Sequence, residues 1–181
     1  SIPDDEAALQ SVIEDQLVRA DLIIISGERH DDSFDLITRT LEKIGDIKTV
    51  ELSIESSGRH NFGTIGPDKT PVVTLPGDPI AAYISFELLV RPMIRTMLGT
   101  ATIHRPSLKA KLEKAISSTS GVRSYVRAIL SEDGKSVTPL SSQDEQATLS
   151  DANSLIAVSE SETSLTAGTL VTVVVLERRY L

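Results

Sequence analysis

The sequence contains no cysteine. Disulfides, thiolate metal centres and a cysteine nucleophile are therefore excluded, and a reducing, cytoplasmic setting is the expectation. Aromatic residues are scarce, with three Phe, three Tyr and no Trp, so Leu, Ile, Val and Ala must fill the core. Basic residues are outnumbered, 18 against 26 acidic, for a formal net charge of −8. A nucleic-acid surface needs a basic stripe, and an anionic membrane face also favours cations. No apolar run reaches the roughly 20 residues of a bilayer span. The first residues do not have the form of a secretory leader, and a start at Ser1 is expected of a piece of a longer protein.

What is present is a chain of 181 residues, 40% of them hydrophobic, enough for one ordinary domain or two small ones. Pro3-Asp4-Asp5 has the form of a helix start, and Leu9, Val12, Ile13 and Leu17 follow at helical spacing. Leu22 to Ile25 is a run of four apolar residues that reads as a strand buried on both faces. Ser26-Gly27 breaks it, residues 28–33 read as a polar loop, and residues 34–44 as a second helix with Gly45 as C-cap. Strands are predicted over residues 47–54 and 60–65, then a hairpin turn at Gly66-Pro67-Asp68-Lys69, then a short buried strand over 71–75. Residues 80–98 form a long helix, apolar nearly all round, with a kink or break expected at Pro92.

This alternation predicts an α/β domain over residues 1–99, a mostly parallel sheet with helices on both faces. Ser26 and Leu75 would then end strands on one edge of the sheet, where ligands of such folds bind. After a linker at 100–108, strands at 109–117, 122–130, 137–140, 154–158 and 170–176 predict a small all-β domain over 100–181.

Two segments could carry chemistry. In Leu75-Pro76-Gly77-Asp78-Pro79, Gly77 allows tight passage, Asp78 can cap the helix and Pro79 suits its first position. Amides at a helix start attract anions, so the segment is either a ligand-facing turn or a plain capped helix. The segment from Ser26 to Asp35 places several carboxylates after Ser26-Gly27. It could hold Mg²⁺, or be a solvated loop in which Asp32, Ser33 or Asp35 caps the next helix. His30, His60 and His104 show no ligand spacing and read as surface residues.

Together, Ala20 to Gly27, Phe34-Asp35, Leu75 to Pro79 and Phe86 to Pro92 resemble the MoeA family, the molybdopterin molybdotransferases related to the E domain of gephyrin. The resemblance covers the rear of that family's molybdopterin-binding domain and, more weakly, its small C-terminal β domain. It implies insertion of molybdenum from molybdate into adenylylated molybdopterin in a Mg²⁺-dependent step, by a homodimer. It implies Asp35 as a catalytic and metal-binding aspartate, Asp4 as a second metal-binding aspartate, and Ser26, Gly27, Gly77 and Asp78 in cofactor binding. Asp78 stands where the family has Asn. Glu51 and Glu55 fall on two cofactor-facing lysines, and Ser57-Gly58-Arg59 on the family's Gly-Lys-Pro. The alternatives are a divergent, non-catalytic binding or assembly module of the same fold, and, ranked last, a generic α/β nucleotide binder.

Overall fold

The computed structural model describes residues 5–28, 31–140 and 151–176. The chain divides into two compact units, Ser1–Leu52 with Ser57–Val90, and Ser53–Ser56 with Arg91–Leu181.

The first unit opens with α1 (Glu6–Leu17), capped by Asp5, whose carboxylate accepts from the Ala8 amide at 2.9 Å. Pro3 and Asp4 lie outside the described residues. Then come β1 (Ile23–Glu28), α2 (Asp31–Ile44), β2 (Gly45–Glu51), β3 (Arg59–Ile65), β4 (Thr70–Pro76) and α3 (Pro79–Ser85). The second helix thus starts three residues earlier than its apolar pattern suggested.

The strands form one four-stranded sheet in the order β1-β4-β3-β2. The α/β class holds, but the sheet is mixed rather than mostly parallel. Only β1 and β4 run parallel; β3 is antiparallel to both β4 and β2. The reason was visible in the connections. The turn over 66–69 joins β3 to β4 directly, and so short a link can join only antiparallel neighbours. Gly66 and Lys69 adopt φ of 71° and 54° there, and the Lys69 amide donates to the Gly66 carbonyl at 3.2 Å.

Helices cover both faces of this sheet. On one face, Leu9 and Ile13 of α1 and Ile37 and Leu41 of α2 pack on Ile23, Ile25, Ile65 and Val72. Full burial of one such side chain is worth about 1.5–3 kcal/mol. Successive strand residues point to opposite faces, so Val73 and Leu75, also buried, point the other way, where α3 lies on β4. The expected burial of β1 on both faces fails at Ile24, which is 40% exposed. Among the described strands β1 is an edge, and the helices cover only the Ile23 and Ile25 side. Gly45 is not a C-cap: it opens β2 opposite Ile65, and a Cβ there would lie 2.1 Å from the Thr64 carbonyl. A close strand crossing, not a left-handed turn, requires this glycine.

The long apolar helix is interrupted as Pro92 demanded. A π-helical turn (Phe86–Val90) follows α3 and leads into α4 (Arg91–Met97). Proline cannot donate an amide and crowds the carbonyl four residues back; a widened π turn just before it is a common way to absorb that defect.

In the second unit the strands are β5 (Ser107–Leu112), β6 (Ile116–Ser117), β7 (Ser124–Leu130), β8 (Ser136–Pro139), β9 (Ser154–Val158), β10 (Ser164–Leu165) and β11 (Leu170–Val175). Five of them close a barrel in the order β11-β5-β8-β7-β9, and β6 pairs with β10. Alternation along each strand directs Leu112, Leu130, Val137, Ile156 and Val173 inward, all at most 1% exposed. Asn153 ties β9 to β7 by side chain: its Oδ1 accepts from the Leu130 amide at 2.7 Å and its Nδ2 donates to the Leu130 carbonyl at 3.1 Å. The strand expected over 47–54 stops at Glu51, because residues 53–56 belong to the barrel unit. There Ile54 bridges Arg123, and the Arg123 amide donates to the Ser53 carbonyl at 2.8 Å.

Candidate functional site

The parallel pairing of β1 and β4 sets Ile25 opposite Thr74 and Glu28 opposite Pro76, with a bulge between. Two residues, Ser26 and Gly27, thus face the single residue Leu75. Bulges of this kind redirect the chain at sheet margins and next to sites. β2 ends and β3 begins at the same margin, where Glu51 pairs with Arg59. The helices α2 and α3 start there too. Topology therefore brings Ser26, Gly27, Asp35, Glu51, Gly77 and Asp78 to one edge, as the sequence suggested. Glu55 belongs to the barrel unit, where its carboxylate accepts from the Thr119 hydroxyl at 2.8 Å and its amide donates to the Arg123 carbonyl at 2.9 Å.

The Asp78 turn is a capped helix start. Asp78 Oδ1 accepts from the Ile80 amide at 3.1 Å and the Ala81 amide at 2.8 Å, and Pro79 takes the first helical position. The amides that could have held an anion are occupied by the chain's own carboxylate. Asp78 itself is exposed and adds negative charge to the edge.

Asp35 lies one turn into α2, 53% exposed, with Oδ1 3.4 Å from Arg59 Nη1. The same guanidinium stacks over the Phe34 ring, its carbon 4.4 Å from the centroid. Alternation along β3 explains the geometry: Arg59 and Asn61 point to the α2 face, and Asn61 Nδ2 donates to the Thr38 hydroxyl at 2.9 Å. Thr49 donates to Asn61 Oδ1 at 2.6 Å, and the Asn61 amide donates to the Thr74 hydroxyl at 2.8 Å.

On the opposite face His60 is fully buried, so its assignment to the surface was wrong. His104 is exposed as expected, and His30 lies outside the described residues. The Nδ1 of His60 is 2.8 Å from the Thr74 carbonyl, which can only accept, so Nδ1 carries the proton. Nε2 then accepts from the Ser57 hydroxyl at 2.7 Å, and Ser57 Oγ lies 3.2 Å from Ser85 Oγ, which is left to donate. Burial holds the His60 pKa below its ordinary value, partly offset by the Thr74 carbonyl. This neutral chain fastens the segment before Arg59 to both β4 and α3. The signal that could have found it is the strand alternation itself, which groups His60 with Phe62.

Mg²⁺ needs near-octahedral oxygen ligands, with carboxylates among them, and Asp35 faces a guanidinium. Asp4 lies outside the described residues. Among the described residues no group of three or more His, Asp or Glu is placed to hold a metal.

A family profile described as a probable molybdopterin binding domain matches residues 1–96. The chain belongs to the molybdopterin-binding domain family. A second profile, the MoeA C-terminal region (domain IV), matches residues 109–176, so the chain is a MoeA-like C-terminal portion. Molybdopterin molybdenumtransferase 1 of Mycobacterium tuberculosis is 29% identical over 181 residues, covering 95% of this chain and 42% of the relative. Gephyrin of Dictyostelium discoideum is 29% identical over 112 residues, covering 54% of this chain and 16% of its own length. The MoeA structure from Pyrococcus horikoshii superposes with a TM-score of 0.79 at 26% identity, covering 96% of this chain and 42% of that one. The chain thus spans less than half the length of the molybdenumtransferase it matches. Within this molybdopterin-binding domain, no helix among the described residues is long and apolar enough to cross a membrane.

Proposed function

We propose that this chain works in molybdenum cofactor biosynthesis as the molybdopterin-binding and C-terminal portion of a molybdopterin molybdenumtransferase, with adenylylated molybdopterin and molybdate as substrates. The observation that carries this reading is the pairing of the two matches in order, a molybdopterin-binding domain followed by a MoeA C-terminal barrel. Relatives named molybdenumtransferases, aligned over nearly the whole chain, support an enzyme portion over a non-catalytic module. Homodimer assembly and a cytoplasmic location belong to the same reading.

In this reading the ligand lies along the edge of β1 and β4. The Ser26-Gly27 bulge and Gly77 give it close backbone approach, and Asp35 orients Arg59 toward it. Glu51 and Asp78 add carboxylates to that edge, and each repulsion near 4 Å is worth about 1 kcal/mol in water and about 4 at an effective dielectric of 20. The isolated chain therefore binds adenylylated molybdopterin weakly, and a titration giving submicromolar affinity at physiological salt would contradict this. The test of function is molybdate insertion by the full-length gene product. Cofactor formation that persists when this region is deleted would reject the proposal.

A further inference from the structure

The first unit holds a pocket of about 530 Å³ at the end of the sheet opposite the candidate site. β4 runs from Thr70 at this pocket to Pro76 at the other margin, about 20 Å away. The helices α1 and α2 both end at the pocket wall. Their last residues, Leu17 and Ile44, line it together with Val18 and with Pro67 of the turn between β3 and β4. Leu17 lies so close over that turn that a Cβ on Gly66 would meet its Cδ1 at 2.8 Å. Val18 is 89% exposed, unusual for a valine.

Polar groups meet this apolar wall at two places. Thr70 pairs with Ile65, and paired residues of an antiparallel ladder share a face, so its side chain turns toward α1 and α2. Thr70 is 7% exposed and lines the pocket, and among the described residues its hydroxyl has no hydrogen-bond partner. Glu14 and Asp68, both exposed, stand at the rim. Glu14 is steadied by Gln10, whose Nε2 donates to its Oε1 at 2.7 Å. The negative ends of two helix dipoles add to these charges. α1 has no basic residue in its last turn, and Lys43 of α2 is paired with Glu6. Arg19 and Lys69 neighbour the lining in sequence but are not part of it. We propose that this pocket binds a small amphiphilic amine, with its apolar body on Leu17, Val18, Ile44 and Pro67, its ammonium at Glu14 and Asp68, and a polar group at its far end bonded to Thr70. The site is separate from the edge of β1 and β4, so it stands or falls independently of the function proposed above.

The volume falls within the range of small-molecule sites, about 300–1,000 Å³. Carboxylates and helix C-termini attract an ammonium and repel an anion. A free hydroxyl both donates and accepts, so Thr70 selects for a polar group at that point without fixing its kind.

The test uses the methyl-labelled full chain and tyramine as probe, which carries an ammonium at one end of an aromatic body and a hydroxyl at the other. The Leu17, Val18 and Ile44 methyl resonances should shift saturably, with a midpoint of about 1 mM or below. On the parent protein, para-ethylphenol, which lacks the ammonium, should bind about tenfold more weakly, and the carboxylate para-hydroxyphenylpropionate more weakly still. Glu14→Gln combined with Asp68→Asn should weaken tyramine binding about tenfold and leave para-ethylphenol unchanged. Thr70→Val, similar in shape, should abolish the preference for tyramine over phenethylamine. Amide spectra that match the parent away from the pocket show that the variants fold, and the analogue series on the parent decides the matter without them. No saturable shift at these methyls, equal binding of the carboxylate, a charge variant that binds tyramine like the parent, or a Thr70→Val variant that keeps the preference would overturn the proposal.

Discussion

Acidification should unfasten the first unit through one residue, His60. Its Nδ1 donates to the Thr74 carbonyl and its Nε2 accepts from Ser57. A second proton would have to sit on Nε2, facing the Ser57 oxygen, inside a site with no exposure. The folded pKa is lowered, chiefly by burial, while the unfolded chain takes that proton near pH 6.5. Between these two values the unfolded state binds more protons, so stability rises with pH there and is lost as pH falls. The contribution is whole above about pH 6.5 and declines toward the folded pKa, at up to about 1.4 kcal/mol per pH unit. From pH 7.5 to 5.5 the loss attributable to His60 is about 1.4 kcal/mol at most, the value reached if the folded form stays unprotonated. The assay is urea-dependent hydrogen exchange of the β3 and β4 amides at the two pH values, in the parent and in His60→Gln. The variant should be less stable at pH 7.5 but show a flatter pH dependence. Equal pH dependence in both proteins, or a His60 ring resonance titrating at or above 6.5, would refute the reasoning.

Three further outcomes follow from single contacts. Gly45→Ala and Gly63→Ala should each lower stability by about 1–3 kcal/mol, because the new Cβ would meet the Thr64 carbonyl at 2.1 Å or the Asp46 carbonyl at 2.0 Å; thermal melts that match the parent would exclude the close strand crossing. Asn153→Ala removes both side-chain bonds to Leu130 and should cost about 2 kcal/mol or more, visible as faster exchange of the β7 amides. Asp78→Ala should lose about 1 kcal/mol of cap stabilisation while Asp78→Asn keeps most of it; a large loss in the Asn variant, measured by denaturant titration, would mean the negative charge itself matters.

The barrel was almost fully legible, because its strands alternate and its turns are short and polar. Residues 122–130, 137–140, 154–158 and 170–176 match β7, β8, β9 and β11 within two residues at each end. In the first unit the elements were legible, as were the hairpin from β3 to β4 and the parallel run of β1 and β4, but the mixed character of the whole sheet was not. Alternating strand and helix patterns suggested parallel crossovers, yet no helix separates β2 from β3 or β3 from β4, and the turn at Gly66–Lys69 overrides the general pattern. Gly45 was misjudged for a similar reason: a glycine after a helix usually marks a left-handed cap, and only the opposing Thr64 carbonyl reveals another cause.

The site shows where sequence reasoning stops. Strand ends can be placed on an edge from connectivity alone, and those at Ser26 and Leu75 were placed that way. Pairings across the sheet cannot. Arg59 lies 24 residues from Asp35, and Ser57 lies 28 from Ser85; strand register decides both encounters. That register also changes what the charge pattern means. Taken in line, Glu51 and Glu55 are two carboxylates four residues apart. Folded, Glu51 ends β2 at the sheet edge, while Glu55 is bound to Thr119 in the barrel unit and helps hold residues 53–56 there. The cation opposite Glu51, Arg59, belongs to the same strand pair. At the described edge the carboxylates of Glu51 and Asp78 therefore stand beside the guanidinium of Arg59, itself paired with Asp35, a juxtaposition that only the strand register reveals.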